Sequence, residues 1–157
     1  MARFGGPFLS IGGGMDPAVE LLQKVVAAMK ADAGVAAFVG AKVYDRPPHK
    51  NSVPNVPSPY ISLGPHDTIT DELADCLDNV TVTFQIDVWS WGENLAYSRT
   101  EAGNIASAVR KALHRKPVDL TSGRNAELVH QGTRFLRDPD GTNHAAITFE
   151  CMIDVTR

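Results

Sequence analysis

The sequence predicts an α+β domain: a mostly antiparallel sheet with two main helices packed on one face, long loops and an N-terminal arm. Three observations carry this. Apolar residues alternate with polar ones in Val80–Trp89 and again in Ile147–Val155, the period of strands with one buried face. They recur at helical spacing in 16–31 and 95–113. Asp138-Pro139-Asp140-Gly141 stands between two strand-like runs, with Pro and Gly suited to a tight turn.

The 157 residues amount to one domain, long enough to bury roughly 70% of the unfolded surface without help from disulfides or metals. Eighteen acidic and fifteen basic side chains leave a formal charge of −3, the wrong balance for a dedicated nucleic-acid binder. Residues 1–14 are expected to be an extended arm and 15–157 the single domain. The arm, MARFGGPFLSIGGG, lacks the continuous apolar stretch of about 7–15 residues that marks a secretory signal. It reads as an unstructured or vector-derived tail, or as an arm that orders on a partner through Phe4, Phe8, Leu9 and Ile11. Nothing in the chain approaches the roughly 20 apolar residues of a membrane span, so no membrane partner is expected.

The elements follow in order. Asp16 as N-cap and Pro17 at the first position open a helix to Ala31, with Val19, Leu22, Val26 and Met29 on its apolar face. Gly34–Val39 forms a second short helix closed by Gly40, and Lys42–Asp45 a short strand. Arg46–Pro59 holds five prolines, which exclude helix interior and central strand; a surface loop is expected, with Arg46, Pro47 and Pro48 as candidate interface residues. Tyr60–Leu63 reads as a compact strand ended by Gly64-Pro65.

His66–Asn79 carries Asp67, Asp71, Glu72, Asp75 and Asp78 and no Lys or Arg. Like charges packed together repel, so this segment reads as a loop that is solvated or faces a lumen or tube. In the next strand Val80, Val82, Phe84, Ile86 and Val88 point inward. Trp89 and Trp91, at its end, lie on the opposite face and either pack under the following helix or anchor an interface. That helix runs from about Leu95 to Leu113, burying Ala102, Ile105, Ala106, Val109 and Leu113, with Arg110, Lys111, His114 and Arg115 complementing the dipole at its end. Glu127–Arg137 and His144–Val155 complete a hairpin.

Chemistry leaves no comparable trace. The sequence has no phosphate loop, no GxSxG elbow and no HxH or HExxH spacing, and Cys76 and Cys151 form no metal pattern. No catalytic, metal-binding or cofactor-binding residue is expected, and the chain is read as a non-enzyme. Three long irregular elements on one small domain point instead to contacts.

Four stretches together resemble the phage tail-terminator, or tail-to-head joining (tail completion), family. They are Ala33–Gly40 with Lys42-Val43-Tyr44-Asp45; Pro59–Gly64; Phe84–Ser90 followed by a helix ending Ala108–Leu113; and Arg137–Gly141 before the last strand. They occur in the family's order over most of Asp16–Val155; the arm is a departure. The resemblance implies a structural virion protein that forms a hexameric ring on the tail tube of long-tailed phages, ends its polymerisation and joins tail to head. Gene-transfer particles and tailocin-like relatives use similar proteins. Implied partners are copies of the chain itself, the tail-tube protein and the head–neck connector, with DNA only passing through the lumen. The implied place is the virion's tail–neck junction, after assembly in the host cytoplasm. The alternative is a neck adaptor, tail-tube or minor tail protein of the same virion.

Overall fold

The structure is a computed structural model that describes residues 14–157. The candidate arm anchors Phe4, Phe8, Leu9 and Ile11 lie outside the described residues.

Helix α1 (Pro17–Ala31) begins as its sequence dictates: Asp16 Oδ1 accepts from the amides of Ala18 at 2.9 Å and Val19 at 3.1 Å, and Pro17 has no N–H to satisfy. Asp32 ends α1 through its own N–H and caps α2 (Ala33–Val39) by accepting from Val35 N at 2.9 Å. Gly40, with φ of 59°, closes α2.

The buried stripe of α1 is Ala18, Leu21, Val25 and Met29. Of the predicted face only Met29 is buried; Val19 is exposed, and Leu22 and Val26 are partly covered. Both stripes are apolar at helical spacing, so periodicity alone does not choose between them. Glu20 tips the balance because its carboxylate finds donors inside. Oε1 accepts from Thr121 N at 2.7 Å and from its hydroxyl at 2.8 Å, and Oε2 accepts from Ser122 N at 2.9 Å and from the Ser122 hydroxyl. The Ser122 hydroxyl and the Thr121 amide hold its pKa down to about 2.

The strands, in chain order, are β1 (Val43–Tyr44), β2 (His49–Lys50), β3 (Val53–Pro54), β4 (Tyr60–Ala74), β5 (Leu77–Ser90), β6 (Pro117–Val118), β7 (Arg124–Arg137) and β8 (Asn143–Thr156). Six of them form one sheet in the order β1-β4-β5-β8-β7-β6, antiparallel except for β1 with β4. The two-residue strands β2 and β3 pair inside the proline-rich loop, His49 against Pro54. Helix α3 (Thr100–Leu113) packs with α1 and α2 on one face. There Val82, Phe84, Ile86 and Val88 of β5 and Ile147, Phe149, Cys151 and Ile153 of β8 meet Ala102, Ile105, Ala106, Val109 and Leu113, all buried. Phe84 and Phe149 stack at 5.9 Å across the central strand pair. The predicted α+β class, one-faced helix packing and alternating strands are all present.

Three further sequence expectations are corrected. Strand β4 does not stop at Gly64-Pro65: a bulge between Leu63 and His66 carries it on to Ala74. A glycine suits the close approach there, since a Cβ on Gly64 would lie 2.6 Å from Asp87 Oδ2 and the carboxylate would have to shift. The acidic segment is therefore a hairpin and not a loop, with Thr70 opposite Val80, Asp71 opposite Asn79 and Glu72 opposite Asp78. Alternation sends its charges to opposite faces, and β-branched Thr68, Ile69 and Thr70 favour the strand. Arg157 supplies countercharge from outside, 2.7 Å from Asp78 and 3.6 Å from Glu72. Finally, α3 starts at Thr100 rather than Leu95, after a short 3-10 turn at Asn94–Ala96. Buried Asn143 fixes that turn by donating to the carbonyls of Ala96 at 2.9 Å and Ser98 at 3.0 Å.

Glu20 gives a pH-dependent stability. Its carboxyl ionises at lower pH folded than unfolded, so its stabilisation is complete above about pH 4.5. It fades as pH falls towards 2. In chemical denaturation, the gap between the native chain and Glu20→Gln is expected to be widest at pH 5–7 and to shrink by pH 2.5. A gap that stays constant with pH would remove Glu20 from this role.

Candidate assembly surface

Directly opposed residues in a sheet share a face, and the register identifies the one without helices. Across β4, β5, β8 and β7 its rows read Tyr60, Trp89, His144, Leu136, then Ser62, Asp87, Ala146, Arg134, with Asp67, Thr83, Glu150, Val129 further down. The lowest rows are Ile69, Thr81, Met152, Glu127 and Asp71, Asn79, Asp154, Arg124.

The upper rows form an aromatic corner. The Trp89 ring stacks on His144 at 4.0 Å and lies 6.3 Å from Tyr60, while Trp91 meets Tyr60 edge-on at 6.1 Å. Trp89 Nε1 donates to Ser62 Oγ at 3.0 Å, and His144 Nε2 lies 2.7 Å from Asp87 Oδ1. Burial, reinforced by the Asp87 charge, pushes the Tyr60 phenol up. The expectation that the tryptophans lie opposite the core is met; the option that they pack under the following helix is not, because both rings turn to Tyr60. Trp91 stays 40% exposed. With Val53, Pro54, Asp138, Asp140 and Thr142 these aromatics line an open cleft of about 390 Å³. The cleft is bounded by the proline-rich hairpin and the Asp-Pro-Asp-Gly turn. Val53 and Pro54 reach it from that loop, whereas Arg46, Pro47 and Pro48 do not line it.

The five acidic candidates are divided by the hairpin. Asp67 and Asp71 join Asp87, Glu127, Glu150 and Asp154 on the helix-free face, where Arg124 and Arg134 are the opposing arginines in the rows. Glu72 and Asp78 lie in the alternate register with Arg157, and Asp75 sits in the turn. The helix-free face thus carries an acidic excess that the sequence assigned to one segment. Sequence reasoning missed Asp87, Glu150 and Asp154 because each occupies an ordinary outward position in an alternating strand; only the register gathers them.

Burial pushes the Cys151 thiol up to about 11, and burial beside Arg110 and His114 pulls His130 down. Among the described residues no group of three or more His, Cys, Asp or Glu is placed to hold a metal ion, and no helix is long and apolar enough to cross a membrane.

The profile of the family described as tail completion protein gp17 matches residues 23–154. The chain belongs to this family. It is a structural protein of a phage tail and a component of the virion. No curated protein matches the sequence. A solved chain described as part of the virion of a native gene transfer agent (GTA) particle superposes with a TM-score of 0.72 at 24% identity, covering 93% of this chain and 98% of that one. That likeness shows a shared fold, and the family match bears out the resemblance read in the sequence.

Trp89 and Trp91 are expected to separate on mutation. Trp89→Ala removes a half-buried ring with its hydrogen bond and should cost about 2 kcal/mol or more, lowering Tm by several degrees. Trp91→Ala should stay within about 0.5–1 kcal/mol of the native chain. Thermal unfolding of both variants decides; equal losses would show that Trp91 serves the fold.

Proposed function

We propose that this tail completion protein is the tail terminator: it closes into a hexameric ring on the finished tail tube, stops polymerisation and presents a surface to the head–neck connector. The family match carries this reading. The fold supports it, because the helices all pack on one face of the sheet while the other carries no helix and is shaped by strands and hairpins. A ring needs two different patches that meet on adjacent copies, and a one-sided sheet flanked by long hairpins offers them. Residues 15–157 act as the single ring-forming domain, and residues 1–14 as a separate arm towards a partner.

The acidic excess on the helix-free face suits a lumen wall. Asp67 and Asp71 together with Glu150 and Asp154 would repel DNA phosphates and keep the genome from adhering as it passes. The aromatic corner and proline-rich hairpin, with Trp91 and Arg46, Pro47 and Pro48, are the parts assigned to axial contacts with tube or connector, since large exposed aromatics dominate interface energies. Assembly takes place in the host cytoplasm.

Deleting the gene in the producing phage and measuring tails by electron microscopy tests the reading. Overlong tails without heads are expected. Tails of normal length on intact particles would overturn it, and headless tails of normal length would favour a neck adaptor instead.

A further inference from the structure

Both margins of the sheet are left open, and they are chemically opposite. Strand β1 covers β4 only at Ile61 and Ser62, and β6 covers β7 only at Ala126 and Glu127. Backbone bonds with Arg115 and Lys116 extend that second cover to Leu128, and the His130 amide donates to His114 Nδ1. Among the described residues nothing pairs with the outer edge of β4 from His66 to Ala74 or of β7 from Gln131 to Arg137. Long bare edges invite pairing with another chain, and stable proteins usually cover or blunt them. The β4 edge contains Asp67, Asp71 and Glu72 and no Lys or Arg; the β7 edge contains Arg134 and Arg137 and no Asp or Glu. Each also presents a bare apolar side chain, Ile69 at 63% and Phe135 at 44% exposure.

We propose that adjacent copies join by sheet extension, the acidic edge of β4 in one copy pairing antiparallel with the basic edge of β7 in the next. This rests on the ring reading above and specifies its seam. The occupant is a second copy because the two edges complement each other in charge and direction: β4 and β7 run oppositely within one subunit. Facing rules allow Asp67 opposite Arg134, both on the helix-free face, with Thr68 opposite Thr133 on the other. Asp67 stands level with Thr83 of β5, and Arg134, through Ala146, level with Asp87. The seam therefore staggers each subunit by about four residues, or roughly 13 Å along the strands. The four long strands span about 19 Å across, so the strands tilt by about 35° to the ring axis. That tilt falls within the range of closed barrels. Strands β5 and β7 are parallel and joined across α3, and the usual right hand of that connection gives the stagger the sense that turns the helix-free face inward.

Cross-linking in assembled particles tests the seam. In a Cys76→Ser background, Thr68→Cys is combined in turn with Gln131→Cys, Thr133→Cys and Phe135→Cys, which spans one pairing step either way. Within one chain β5 and β8 separate these positions by about 14 Å, beyond the roughly 7 Å that a disulfide tolerates between Cα atoms. Oxidised tails should give a reducible ladder climbing to the closed ring from at least one pair, with none from single variants. Tails of normal length without a ladder from any pair would overturn the seam and leave the terminator reading intact. A ladder ending at dimers would mean self-complementary pairing and overturn it as well. So would a ladder that appears only after removal of residues 1–13, since the chain's own first residues would then be the occupant. If the paired variants yield no particles, charge reversal decides. Arg134→Glu should reduce complementation at least tenfold and adding Asp67→Arg should restore it; failure to restore overturns the proposal.

Discussion

The unbroken antiparallel pairing of β5 with β8, from Leu77 opposite Thr156 to Ser90 opposite Asn143, is the constraint on which the rest of the molecule depends. Because side chains alternate along each strand, this single register decides at once which residues face the helices and which do not. A slip of β8 by one residue would turn Glu150 towards the helices and Phe149 away from them. Hairpins β4–β5 and β7–β8 then lay one more long strand on either side. Asn143 ties the top of β8 to the turn before α3, and Glu20 ties α1 to the segment between β6 and β7. Helices, cleft and margins all inherit their positions from that pair.

Much of this was legible because it is periodic. The strict alternation of β5 and β8 and the buried face of α3 could be read residue by residue, as could the caps at Asp16 and Gly40. The α1 face was not, since Val19, Leu22 and Val26 compete with Ala18, Leu21 and Val25 at the same spacing. What settles it is a carboxylate satisfied by Thr121 and Ser122 about a hundred positions away. The hairpin at 66–79 was hidden for a related reason. Gly64-Pro65 reads locally as a stop, yet a bulge can carry a strand through such a pair when its partner continues, and charge repulsion is relieved by alternation and by a distant Arg157. The acidic excess on the open face and the complementary margins belong to no segment and emerge only from register.

The family assignment and the fold agree on a structural protein of the tail. Its interior is conventional, and its unusual features all lie at places that a monomer has no need for: an uncovered sheet face, an aromatic corner beside a short proline-rich hairpin, and bare edges. Buried polar groups are matched within the domain, among them Glu20, Asp87 and Asn143. The fold is therefore complete in its core while remaining open at its rim.

The shortness of β1 and β6, two residues each, has a consequence for how such an assembly could diversify. In a closed barrel, strand count and stagger are tied to diameter. The point at which a covering strand stops sets how far a neighbour may advance along the strand beside it. In the proposed ring these two stubs would act as rulers rather than as sheet elements in their own right. Lengthening or trimming them by a residue pair would reset subunit stagger in that ring while leaving the core untouched, and the bore would become a trait that small insertions beside β1 or β6 adjust.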